Sequence, residues 1–152
     1  PAAIEKIRGL VGEWSGTYEW SGARTDKGEM NAVYSLTGNG SAVIESLSVG
    51  SEPSMSSIYH LDLDDLRVTH YCAARNQPRL RARTIDLPKG LLEFEFVDAT
   101  NMRSADAPHV HGLELHFDAD DRLTIVFLFR SGAQVSRETI LLHRGKRQGA
   151  AA

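Results

Sequence analysis

RLRARTIDLPKGLLEFEFV, residues 79–97, sets two apolar–polar alternations on either side of a short turn. Leu80 and Ala82 alternate with Arg79, Arg81 and Arg83. Leu92, Phe94 and Phe96 alternate with Glu93 and Glu95. Successive strand residues point to opposite faces, so a period of two means a strand with one buried face. DLPKG joins the two runs too tightly for a crossover, so they pair as an antiparallel hairpin. The arginines then stand opposite the glutamates on the outer face, where opposite charges pair across strands. This reads as a solvated charge ladder rather than a basic patch for a polyanion.

The same pattern extends over most of the chain. EWSGTYEW, EMNAVYSL, SAVIESLSV, SSIYHL, LRVTHYCA, VHGLELHF, RLTIVFLF and AQVSRETILLH bring the total to about ten strand-like segments. TGNG, DLDD, DADD and SGAQ are the other short connections. Short turns throughout imply a meander. An all-β, ten-stranded, antiparallel up-and-down barrel hides every edge, and a barrel of this size has room for a small molecule. A two-sheet sandwich is the alternative. Only the start departs from period two. Ile4, Ile7, Leu10 and Val11 recur at helical spacing, giving a short N-terminal helix expected to cap one mouth.

The chain of 152 residues is expected to be one domain, residues 1–152, with a frayed tail over 145–152. A formal net charge of −3 gives no global field for nucleic acid. No apolar run approaches a membrane span, and the single cysteine excludes an internal disulfide. PAAIEKIRGL carries no signal-peptide core, from which a cytoplasmic, bacterial-type protein is expected. The apolar outer positions of β-segment RLTIVFLF, Val126 and Leu128, call for a cover, either the helix or a second barrel in a homodimer.

Parity singles out a group of polar side chains on apolar faces. His70 and Cys72 follow Leu66 and Val68 along one face; His109 and His111 precede Leu113 and Leu115 along another. The fifth and eighth strands of a meander are antiparallel, so the end of one and the start of the other share a mouth. Buried imidazoles require partners. Three readings stay open for this set: ligands for zinc, iron or copper, polar contacts for an organic ligand, or histidines satisfied by other protein groups. The loops bring Asn76 and Asn101 to the same mouth. Glu45 shares a face with Val43, Leu47 and Val49, which favours an inward acid. Tyr18, Tyr34, Phe94 and Phe96 complete the expected ligand-binding set. His109 or His111 suits general-base work near neutral pH. Tyr59 and Leu61 are expected inside, leaving His60 outward; His116 is expected outward and His143 is left open.

LVGEWSGTY, with Gly12, Trp14 and Gly16 following a short helix, resembles the opening of calycin-type barrels: lipocalins, fatty acid-binding proteins and haem-binding nitrobindins. With YHLD, THYCAARNQPR and HVHG, the chain is also similar, from about Leu10 to Arg144, to uncharacterised bacterial lipocalin-like barrels. The resemblance implies an interior site for a hydrophobic or amphipathic molecule. It also implies that a late basic residue, Arg144 or Arg137, stacks on Trp14. Nitrobindins hold haem through a histidine of the last strand. Here that strand's only histidine is His143, at its very end, and the family's Tyr-Pro is absent, because Glu19 follows Tyr18.

Overall fold

The computed structural model describes residues 2–145. The expected tail falls almost wholly on residues 146–152, outside the described residues. One helix, α1 (Ala2–Arg8), precedes ten strands: β1 (Gly12–Gly22), β2 (Asp26–Thr37), β3 (Ala42–Val49), β4 (Glu52–Asp62), β5 (Asp65–Tyr71), β6 (Gln77–Asp86), β7 (Leu91–Thr100), β8 (His109–Ala119), β9 (Arg122–Ser131) and β10 (Gln134–Arg144). Each strand pairs antiparallel with its chain neighbours, and β1 pairs with β10 to close the barrel. Closure leaves no edge strand to manage. The sandwich alternative is excluded.

The hairpin of residues 79–97 forms with a 3-10 turn at Leu87–Lys89 and Gly90 in the left-handed region at φ 65°. A Cβ on Gly90 would also stand 2.5 Å from the Phe117 carbonyl oxygen, so turn and packing both demand glycine here. The ladder stands outside as expected. Arg81 pairs with Glu95 at 3.1 Å and Arg83 with Glu93 at 3.6 Å, while Arg79 makes a bidentate contact with Asp98.

α1 closes one end of the barrel. Ala3, Ile4, Ile7 and Leu10 are buried in the same core as Trp14, Tyr34 and Leu142. Each large aliphatic side chain buried there stabilises by on the order of 1.5–3 kcal/mol, far more than a seven-residue helix gains from its own hydrogen bonds. Arg8 donates to the Gly40 carbonyl in the β2–β3 turn. The Arg144 guanidinium lies 4.5 Å from the Trp14 ring and donates to the Gly9 and Val11 carbonyls at 2.9 and 3.0 Å. Arg144 is thus the cation on Trp14, whereas Arg137 is outside, ion-paired with Glu114.

On β9, Val126 is 5% exposed. Glu114 on β8 and Arg137 on β10 pair at 3.7 Å, so their side chains pass over β9 between them. This ionic clasp lies over part of the outer face that Val126 and Leu128 share. No helix among the described residues is long and apolar enough to cross a membrane.

Candidate functional site

The barrel end opposite α1 is open. The β1–β2, β3–β4, β5–β6, β7–β8 and β9–β10 connections gather there, as an up-and-down order requires. Within this mouth lies a cavity of about 390 Å³, walled by Tyr18, Trp20, Met30, Met55 and Phe129. Ala73 and Ala74 after β5, and Pro108 before β8, also reach it. Trp20 and Phe129 pack with ring centroids 4.8 Å apart. Three charged side chains join these walls: Arg24, Arg130 and Glu138.

Glu138 is the unusual one. It sits on β10 opposite Trp20 of β1 and Phe127 of β9, is 3% exposed, and its Oε1 has no hydrogen-bond partner among the described residues. Burial pushes its carboxyl up to about 7; the nearby Arg24 charge opposes the rise and Asp26 adds to it. An unpaired buried carboxyl in an apolar-walled cavity is a polar group that a ligand can satisfy.

Below the cavity runs a row of buried polar side chains. Tyr34, Glu45, Ser57 and His70 are successive Cα partners across β2, β3, β4 and β5. Tyr34 donates to Glu45 Oε2 at 2.6 Å, Tyr59 donates to the same oxygen at 3.4 Å, and Ser57 Oγ lies 2.7 Å from His70 Nδ1. Burial raises the Glu45 carboxyl to about 7, against the lowering effect of hydrogen bonds from Tyr34, Ser57 and Tyr59. Burial also lowers His70 to about 3, so this imidazole is neutral. Its ring packs 4.7 Å from Phe127, across the barrel. Ser57 is wholly buried and lies outside the cavity walls, so this row is not a nucleophile arrangement. Phe94 is also inside, edge-on to Tyr59 at 5.8 Å.

The loop residues hold the mouth together. Cys72 is buried, and its sulfur accepts from the Ala74 amide at 3.4 Å. Burial raises its thiol, the opposite of what a nucleophilic cysteine needs. Asn76 donates to the Pro108 carbonyl at 2.8 Å and Asn101 to the Arg75 carbonyl at 2.6 Å. The two loops therefore meet at one mouth, tied by amides.

His109 and His111 do not join His70. The β8–β9 register slips between Val110 and Gly112. This bulge inserts one residue and reverses the parity upstream of it. Val110 takes the buried place opposite Phe129. His109 pairs with Arg130 and turns to a different cavity, shared with Phe96, Met102, Asp106 and His111. There the two imidazoles bond each other, His109 Nε2 to His111 Nδ1 at 3.0 Å, and His109 Nδ1 donates to the Ala107 carbonyl at 2.8 Å. Phe96 stacks on His111 at 4.7 Å. An H-x-H clamp needs two lone pairs aimed at one point; here both His109 nitrogens are committed within the protein. The expected set of His70, Cys72, His109 and His111 is dispersed, and no three His, Cys, Asp or Glu side chains among the described residues are grouped to hold a metal. His143 is exposed on the outer face of β10, so it offers nothing to a haem inside. His60 and His116 are partly exposed; His116 bonds Glu114 at 2.9 Å.

Of the expected residues, only Tyr18 lines the mouth cavity. Trp20, Met30, Met55, Phe129, Arg24 and Glu138 were not expected there. Glu138 was within reach of parity, because it shares a face with Ile140 and Leu142 in AQVSRETILLH. Gly112 inside a strand pattern was a bulge signal next to His111.

Comparison with protein-family models and with curated proteins finds no match. Solved structures do match. Rv2717c from M. tuberculosis is 15% identical with a TM-score of 0.60; the match covers 96% of this chain and 99% of that one. A protein of unknown function of the DUF3598 family, from Nostoc punctiforme, is 16% identical with a TM-score of 0.62. That match covers 91% of this chain and 48% of the Nostoc protein. At these identities the likeness establishes a shared fold and carries no activity.

Proposed function

We propose that this chain is a calycin-type carrier or receptor for a small, largely apolar organic molecule, bound in the open mouth and not at the histidines. One observation carries the reading: a cavity of about 390 Å³ with aromatic and thioether walls holds a carboxyl oxygen, Glu138 Oε1, that no group among the described residues satisfies. Apolar walls supply affinity through buried area, and one polar group orients the guest. A cavity this size suits a molecule of one or two rings. The deeper Tyr34–Glu45–Ser57–His70 row forms the floor's polar framework and takes no part in contact.

The three methionines make the test direct. Met30 and Met55 line the mouth cavity, whereas Met102 lines the cavity beside His109. With 13C-methyl methionine, titration with the neutral aromatic 4-ethylphenol is expected to move the Met30 and Met55 signals saturably and leave Met102 in place. A response confined to Met102, or none from any of the aromatic probes named below, overturns the proposal.

A further inference from the structure

The mouth cavity also specifies the charge of its guest. We infer that the site selects an organic cation, an ammonium or guanidinium group on an aromatic or aliphatic body, with Glu138 as its counter-ion. This deepens the ligand-binding proposal above and rests on it.

Three observations point the same way. Glu138 Oε1 is buried and without a partner among the described residues, which makes it a strong acceptor facing the cavity. A cation fills it with a charge-assisted hydrogen bond, stronger than a neutral donor provides. Second, the walls beside Glu138 are π-faces. Trp20 is its Cα partner on β1, and Phe129 packs on Trp20. Indole faces attract cations, most strongly where water is excluded. Third, the mouth already holds a cation in this way. The Arg24 guanidinium lies 4.1 Å from the Trp20 ring and lowers the Glu138 pKa without hydrogen-bonding to it. Its side chain is 57% exposed, so it can leave toward solvent as a ligand enters.

The other charges around the site do not cancel this preference. Arg24 is paired with Asp26 at 3.8 Å, and the Asp26 charge opposes the effect of Arg24 on Glu138. Arg130 is exposed and lines both cavities, and in the second its charge lowers the His111 pKa. Cys72, just after β5, responds to the Glu138 charge but is itself an uncharged thiol. Of the three charged side chains in these walls Glu138 is the buried one, whereas Arg24 and Arg130 are exposed.

Proton linkage follows from the same geometry. Burial holds the Glu138 carboxyl near 7, and a bound cation stabilises the ionised form. Below that pH, binding must displace a proton. Affinity for a permanently protonated amine then falls about tenfold for each pH unit below 7.

The probes are 2-phenylethylamine, 3-phenylpropionate and 4-ethylphenol, which share one body and differ in charge. Binding is read from the Met30 and Met55 methyl shifts and by calorimetry in two buffers of different ionisation enthalpy. At pH 8 the amine is expected to bind at least tenfold more tightly than the carboxylate. Near pH 6 its binding releases a proton. Glu138→Gln is expected to lose at least tenfold in amine affinity, with an unchanged Met102 methyl signal showing that the variant is folded. If 4-ethylphenol binds but the amine gains nothing over the carboxylate, or binds independently of pH, the cation inference falls and the ligand site stands. If none of the three moves Met30 or Met55, both fall.

Discussion

His109 Nε2 lies 3.0 Å from His111 Nδ1, and one extra residue in β8 brings the two rings together. The Ala107 carbonyl can only accept, so His109 carries its proton on Nδ1 and its Nε2 is an acceptor. His111 must then donate from Nδ1, leaving its Nε2 as a lone pair. Nitrogen-15 spectra at pH 8 should show both rings in the Nδ1–H form. His109→Ala should return His111 to a mixture. A His111 ring carrying its proton on Nε2 in the native protein rules this chain out. Burial first, then Arg130 and His109, lower the His111 pKa, so this ring should take its proton below the ordinary imidazole range.

Glu45 and His70 should pull the pH dependence of stability in opposite directions. The folded-state pKa of Glu45 is raised from 4.5 to about 7 by burial. Its contribution is complete below the unfolded pKa and is lost as pH rises toward 7. His70 is lowered from 6.5 to about 3, so its contribution is complete above 6.5 and is lost as pH falls. Each group changes stability by about 1.4 kcal/mol per pH unit within its window. Glu45→Gln should therefore gain on the native protein steadily from pH 4.5 to 7, and level off above. Urea unfolding at pH 5 and pH 8 measures this; a difference that does not change with pH sinks it.

Tyr34→Phe removes the 2.6 Å donor to Glu45 and leaves the carboxylate more poorly solvated. The expected loss at pH 8 is about 1–3 kcal/mol, the cost of a buried acceptor left short of a bond. At pH 5, where the carboxyl is protonated, the loss should be smaller. Equal losses at both pH values mean that the hydroxyl contributes only packing.

Gly16 and Gly112 should respond very differently to alanine. A Cβ at Gly16 would lie 1.7 Å from the Leu141 carbonyl oxygen, a backbone atom of the paired β10. At Gly112 the nearest atom is Leu128 Cδ1 at 3.0 Å, the movable end of a side chain. Gly16→Ala should break the β1–β10 closure or lower Tm severely; Gly112→Ala should cost far less. Comparable melting temperatures for the two variants contradict the close strand contact.

Arg144→Ala removes the cation over Trp14 together with two hydrogen bonds to the carbonyls that follow α1. Arg144→Lys keeps the charge but not the planar fork, and should recover only part of the loss. Hydrogen exchange over residues 2–10 is the readout: both variants should speed it, alanine more. Unchanged exchange means that α1 is held by its apolar face alone.

Much of the architecture was present in the amino-acid order. Ten period-two runs with short polar turns leave little but a meander, and the spacing of Ile4, Ile7 and Leu10 marks the one helix. The outward arginine–glutamate ladder, the inward Tyr59 and the common mouth of the β5–β6 and β7–β8 loops all follow from alternation and strand direction. The histidine cluster did not follow. Alternation assigns faces only while register is continuous, and a single bulge at His111 reverses it, so that Val110 and not His109 enters the barrel. Whether an inward polar group meets a cavity or a partner also depends on side chains from distant strands. Glu45 finds Tyr34 and Tyr59 above and beside it and is satisfied on one oxygen, while Glu138, just as inward by parity, finds aromatic faces and open space. The local sequence determined which residues point inward along each unbroken strand. Only the closed barrel decided which of them face each other and which face a guest, because those distances are set by register and packing between strands far apart in the chain.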